Sequence, residues 1–195
     1  MFTYQTLKTK TMSEKYKFNN QQGIYFVTCT IVYWIDLFTR KEYNHIIIDT
    51  LRRYQEKRNL IIHAFCIMPS HLHLIISSKD SNESLGSVMR DFKKLSNKRI
   101  LEEISNINES RKEWLLRAFQ NAGKKLKRIK FNKMWQDGNR PIELDNNCIL
   151  QQKIDCIHNN PVEAEIVEEA VDYKYSSAKE YAGLKRGLLE IELLC

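Results

Sequence analysis

His71 and His73 stand two residues apart in Phe65-Cys66-Ile67-Met68-Pro69-Ser70-His71-Leu72-His73-Leu74-Ile75-Ile76, a run otherwise dominated by apolar and β-branched side chains. Such a run reads as strand. On a strand, positions i and i+2 share a face, so the two imidazoles lie side by side while Leu72, Leu74 and Ile76 turn to the other face. Burying imidazoles without polar partners is unfavourable, and a divalent metal is one such partner; a half-exposed strand edge is the other account of the pair. Cys156 and Asn160 are four residues apart in a segment with helical spacing, which puts them on one face. An asparagine side-chain oxygen is an acceptable ligand for a hard cation. Two imidazoles and one amide oxygen leave coordination positions open for water and a phosphate, which favours Mg²⁺ or Mn²⁺ over a closed structural Zn²⁺ site. Asn160 also fits the role of a helix-terminal cap ahead of Pro161.

The segments that must hold these residues are legible from periodicity. Residues 1–20 are polar and read as a flexible N-terminal arm, with one domain over 21–195. Ile24–Ile35 is rich in β-branched and aromatic residues and reads as a strand. Residues 41–58 repeat apolar positions at helical spacing, and Leu60–Met68 and His71–Ser77 are two strands whose short Pro69-Ser70 break makes a hairpin. Asn82–Ile104 reads as a long helix capped by Ser81 or Asn82, and Arg111–Leu126 as another. Ile129–Gln136 reads as a fourth strand, and Asp145 or Asn146 opens a helix that Asn160-Pro161 stops. The order implies an α+β fold: an antiparallel, ferredoxin-like sheet with helices packed on it.

Charge narrows the partner. Residues 90–133 hold fourteen Lys and Arg against five Asp and Glu, whereas residues 145–195 hold five against ten. A clustered basic surface is the footprint of a polyanion, most often nucleic acid, although a solvated helix face has the same composition. Lys124, Lys125, Lys127, Arg128, Lys130 and Lys133 form the densest run and are the candidate phosphate contacts. Trp114 and Trp135 are candidates for stacking on bases or for core packing, His158 for joining the site, for packing or for a DNA contact, and His63 for a structural role. No stretch is long and apolar enough to span a bilayer and the N-terminal residues lack an apolar leader core, so a cytoplasmic protein is expected. The five cysteines form no CxxC pair and fit reduced thiols.

Three stretches, in order, carry a family resemblance: Phe65 to Ile75 with its paired histidines, Ile157-His158-Asn159-Asn160-Pro161-Val162-Glu163-Ala164, and Tyr173-Lys174-Tyr175-Ser176-Ser177-Ala178, with Met134-Trp135-Gln136 between the first two. The chain resembles, over roughly residues 22–182, the HUH single-tyrosine transposases, and within them the REP-associated tyrosine transposases of bacteria. The resemblance implies the HUH nuclease fold, a partner of single-stranded or hairpin-forming DNA, a monomer or homodimer, and a metal held by His71, His73 and Asn160. It also implies covalent strand transfer, in which a tyrosine one turn before the helix ligand attacks a phosphodiester to leave a 5′-phosphotyrosine and a free 3′-OH. At that position this chain has Cys156, and no tyrosine occurs between Tyr54 and Tyr173. A thiolate is a capable nucleophile in general, but cysteine is shorter than tyrosine by a ring and would form a phosphothioester. Three accounts of Cys156 stay open: an engineered replacement that traps a DNA complex, a natural inactive copy, or a nuclease that uses water. The rival reading is a catalytically inactive DNA-binding module of the same fold that regulates or occupies the same DNA ends.

Overall fold

Alternation along Tyr25-Phe26-Val27-Thr28-Cys29-Thr30 produces β1 (Tyr25–Thr30), with Tyr25, Val27 and Cys29 in the main core and Phe26 on the other face. The computed structural model describes residues 17–80, 82–124, 132–184 and 187–194. After β1 come α1 (Lys41–Lys57), β2 (Leu60–Met68), β3 (His71–Ser78), α2 (Leu85–Asn106), α3 (Lys112–Lys124), β4 (Ile142–Glu143), α4 (Asn147–Glu163) and a short α5 (Ala178–Tyr181). The strands form one antiparallel sheet in the order β2-β3-β1-β4. A helix joins β1 to β2, a hairpin joins β2 to β3, and helices join β3 to β4. This is the ferredoxin-like α+β arrangement expected from the periodicity.

The two sheet faces bury different helices. Val27, Phe65, Ile67, Leu72, Leu74 and Ile76 meet α1, α2 and α3 through Ile47, Leu51, Phe92 and Phe119. Phe26, Ala64, Cys66, Met68 and Ile75 meet α4 through Leu150, Ile154 and Ile157. Each buried aliphatic side chain of this kind contributes roughly 1.5–3 kcal/mol relative to an exposed one. His71 and His73 alternate with Leu72 and Leu74 and therefore lie on the α4 face.

The outer edge of β2 is covered by the chain itself. Ile67 N–H donates to the Tyr175 carbonyl at 2.9 Å, Ser177 N–H to the Phe65 carbonyl at 3.0 Å, and Glu192 N–H to the Ile62 carbonyl at 3.1 Å. Of the arm, residues 1–16 lie outside the described residues. Residues 17–20 are tied down: the Phe18 ring stands edge-on to Tyr25 at 5.0 Å, and Asn20 Nδ2 donates to Glu143 Oε1 at 2.9 Å. Among the described residues no helix is long and apolar enough to cross a membrane.

Four sequence expectations need correction. The first strand stops at Thr30, because Tyr33 and Trp34 adopt left-handed backbone conformations (φ 57° and 55°) that end the extended run. The long helix begins at Leu85, not Asn82, since the Asp80 carboxylate accepts from Asn82 N–H and holds that stretch as a turn. Ile129–Phe131 lie outside the described residues, and Asn132–Gln136 form only an isolated bridge, Ile31 to Trp135. The fourth strand is instead Ile142–Glu143, which follows Pro141 and pairs with Tyr25 and Phe26. Finally, α4 opens on Asn146, whose side chain accepts from Cys148 N–H, but runs through Pro161 to Glu163. A proline so near the C-terminus removes one N–H and is followed by only two more helical residues; Ala164 N–H still reaches the Asn160 carbonyl at 3.0 Å.

Candidate active site

Register places the histidines. β3 pairs with β1 so that His73 lies opposite Thr28 and His71 opposite Thr30. The two rings are 4.7 Å apart between centroids and nearly perpendicular, at 78°. Each has its Nδ1 in a hydrogen bond with a hydroxyl: His73 with Thr28 Oγ1 at 2.9 Å, His71 with Ser70 Oγ at 3.2 Å. Among the described residues neither Nε2 has a hydrogen-bond partner. Phe26 stacks on His73 at 5.3 Å, and Trp34 meets the His71 ring edge-on at 5.8 Å. Burial drives the His73 imidazole down to about 3, aided by the nearby charges of His71 and Lys153. Burial also holds His71 below its ordinary value, against the opposing pull of Asp36. Both imidazoles are therefore neutral at neutral pH, the form that ligates metals.

α4 brings a second set of side chains to this face. Lys153 Nζ stands 5.0 Å over the Phe26 ring, next to His73. With 3.6 residues per turn, Lys153, Cys156 and Asn160 fall within about 60° of one another around the helix, Lys153 and Asn160 on the flank of its buried face and Cys156 turned further toward solvent. Cys156 is exposed and Asn160 half-buried. Among the described residues no hydrogen bond joins either to the imidazoles, and no cluster of three or more His, Cys, Asp or Glu side chains forms.

The other tyrosines are engaged. Tyr173 donates its hydroxyl to the Ile67 carbonyl at 2.7 Å and Tyr181 to the His63 carbonyl at 3.1 Å. Tyr175 packs against the main core. His158 is buried with Nε2 bonded to Ser177 Oγ at 2.8 Å and its ring against Tyr181, so it packs and does not join the histidine pair. Trp135 is buried and donates Nε1–H to Ser96 Oγ, whereas Trp114 is exposed.

Residues 20–121 match the family model described as IS200-like transposase. The chain belongs to the IS200-like transposase family. No curated protein sequence matches it. Among solved structures, this transposase-family chain is similar to a REP-associated tyrosine transposase bound to a REP hairpin. The two share 18% identity over 90% of this chain and 89% of that one, with a TM-score of 0.55, which shows a common fold. The family match contains both histidines but ends before α4, so it does not reach Cys156 or Asn160.

The basic residues of this family member divide into two groups. Lys124 is exposed at the end of α3, and Lys133 forms an ion pair with Asp137 at 2.6 Å; Lys125, Lys127, Arg128 and Lys130 lie outside the described residues. The sequence reading missed a second group. A groove of about 1250 Å³ runs along α1 and α2, where Arg53, Lys57, Arg90, Lys93, Lys94, Lys98 and Lys133 outnumber the acidic Asp91, Glu102 and Asp137 in its lining. It belongs to the helical layer on the opposite side of the sheet from the histidines. Its signal is present in the sequence, since Arg90, Lys94 and Lys98 recur every fourth residue, as do Arg53 and Lys57. Also missed were Tyr33 and Trp34, which are 52% and 60% exposed. Two successive non-glycine residues in the left-handed region cost of order 1–3 kcal/mol each, and such outliers cluster at functional sites.

Proposed function

We propose that this chain binds single-stranded or hairpin-forming DNA with a phosphodiester over the His71–His73 pair, and that with cysteine at position 156 it binds without forming a covalent DNA adduct. The observation that carries the reading is the arrangement of the two imidazoles: neutral, side by side, each fixed through Nδ1 by a hydroxyl and each with Nε2 unengaged among the described residues. Metal-ligating histidines are oriented in this way by their second nitrogen. In this reading His71, His73 and Asn160 would hold Mg²⁺ or Mn²⁺ and leave positions open for water and phosphate. Such a cation, when bound, polarises a non-bridging phosphate oxygen. Lys124, Lys125, Lys127, Arg128, Lys130 and Lys133 supply further phosphate contacts in this reading.

The second reading, a cleavage-incompetent DNA-binding module, is favoured by Cys156. The position one turn before Asn160 holds a thiol too short to match a phenol, and Tyr173 and Tyr181 have their hydroxyls bonded to backbone carbonyls. Cys156→Tyr tests the choice. In the restored reaction the phenol oxygen bonds to phosphorus, the P–O3′ bond breaks and the 3′-oxygen leaves as hydroxyl, giving a 5′-phosphotyrosine. We expect a covalent adduct on a denaturing gel from Cys156→Tyr with labelled hairpin DNA and Mn²⁺, none from the unaltered chain, and none from Cys156→Tyr/His73→Ala. An adduct from the unaltered chain would overturn the assignment of Cys156. DNA binding by Cys156→Tyr without an adduct would establish the binding-module reading.

A further inference from the structure

Beside the histidine pair lies a cleft of about 700 Å³ that no part of the proposed strand-transfer chemistry uses, lined by Tyr33, Trp34, Asp36, Arg111, Trp114 and Arg117. One wall is the turn after β1, where Trp34 is held by its left-handed backbone in an exposed position against the edge of His71. The other wall is α3, where Trp114, Arg117 and Asn121 recur at i, i+3 and i+7 and so form one stripe, while Leu115, Phe119 and Ala122 face the core. Three aromatic side chains thus border a single opening, and the two tryptophans are each more than half exposed. Singly exposed apolar residues are ordinary, but two exposed tryptophans bordering one concavity beside the imidazole pair offer flat faces on which a base can stack.

The charges agree with an anionic strand. Arg111 is held by Glu109 and donates to the Asp36 carbonyl at 3.1 Å, which fixes the floor of the cleft. Arg117 makes no ion pair among the described residues and stands free at the mouth. Asp36 is the one acidic side chain in the lining, and Trp34, which borders the cleft, also meets the His71 ring, so the cleft adjoins the pair.

We infer that this cleft seats an unpaired nucleobase of the DNA strand whose phosphate lies over His71 and His73, the base stacking on Trp34 and Trp114 with Arg117 on its backbone. The inference rests on the reading of the histidine pair as the phosphodiester site. It makes the chain's grip on the scissile position depend on a base being unpaired there, since a base within a duplex offers no free face to the rings.

The test compares oligothymidylate with a sugar-phosphate strand of the same length and charge but no bases, each long enough to fill a site of roughly 4–16 nucleotides, by fluorescence anisotropy. Trp34→Ala and Trp114→Ala should each weaken oligothymidylate binding by about 5- to 150-fold, the range expected for removing one base–aromatic stack. Binding of the abasic strand should be unchanged, and Trp34→Phe should retain most of the affinity for oligothymidylate. Arg117→Gln should weaken both strands alike and reduce the salt slope by about 0.7, the share of one neutralised phosphate on a single strand. Equal losses on both strands from the tryptophan substitutions, or no loss on either, would overturn the base pocket while leaving DNA binding intact. If the unaltered chain binds neither strand, the pocket is overturned, and if it also fails to bind hairpin DNA the DNA reading fails with it.

Discussion

A threonine on the neighbouring strand decides which nitrogen of His73 faces outward. Thr28 Oγ1 takes Nδ1 at 2.9 Å, and burial by Phe26 and the sheet keeps the ring neutral, so Nε2 is the atom presented on the α4 face. If the pair holds a divalent cation, His73→Ala should abolish Mn²⁺ binding in a calorimetric titration, and Thr28→Val should weaken it by about 10- to 100-fold, as is usual when the group orienting a ligand is removed. Undiminished Mn²⁺ affinity in His73→Ala would move the cation elsewhere. The paired histidines were legible because a two-residue spacing fixes their common face whatever the sheet's topology. Thr28 and Lys153 were not, because they reach the pair through strand register and helix packing, and Ser70, although next to His71, meets Nδ1 only through the geometry of the turn. Glu109 was also hidden: it sits in a loop, yet its carboxylate is fully buried against Arg40 at 2.8 Å and accepts the Tyr43 hydroxyl at 3.0 Å.

At the scale of elements, the segment after α5 is fastened by a strand residue. His63 donates Nδ1–H to the Glu192 carbonyl at 2.8 Å, since a carbonyl can only accept, and its Nε2 accepts from Ser77 Oγ at 2.8 Å. This arrangement needs the neutral ring, and burial holds its pKa below the ordinary value even though the Glu192 carbonyl pulls it up. A histidine depressed in the folded state contributes stability that is complete above its unfolded value of about 6.5 and is lost as pH falls below it. Hydrogen exchange at Glu192, corrected for its intrinsic rate, should therefore accelerate as pH drops below about 6.5 in the unaltered chain, and His63→Gln should remove that dependence. A protection factor independent of pH in the unaltered chain would show that His63 does not fasten the segment. The hairpin, α1 and the Asn146 cap were readable because local chemistry specifies them. β4 was not: it is a two-residue strand whose existence depends on the register of β1, and the nearby run 129–136 has the stronger β propensity.

Across the whole molecule, two groups of basic residues are candidates for contact with the proposed polyanion. One is the run 124–133 and the other the groove on α1 and α2, with Lys133 belonging to both. Replacing Lys124, Lys125, Lys127 and Arg128 with glutamine should weaken single-stranded DNA binding and make its logarithmic salt slope shallower by up to about 3, close to 0.7 for each phosphate no longer neutralised. An unchanged slope would remove the run from the DNA path, and the same measurement on Lys94→Gln/Lys98→Gln would then report on the groove. Among the described residues the sheet has few free hydrogen-bonding positions at its margins. Tyr175, Ser177 and Glu192 occupy the outer side of β2, and the opposite margin is the two-residue β4. Long open margins are what let one chain template another into swapped dimers or fibrils. Among the described residues this protein keeps both margins short or occupied, which leaves little open backbone for one copy to extend the sheet of another.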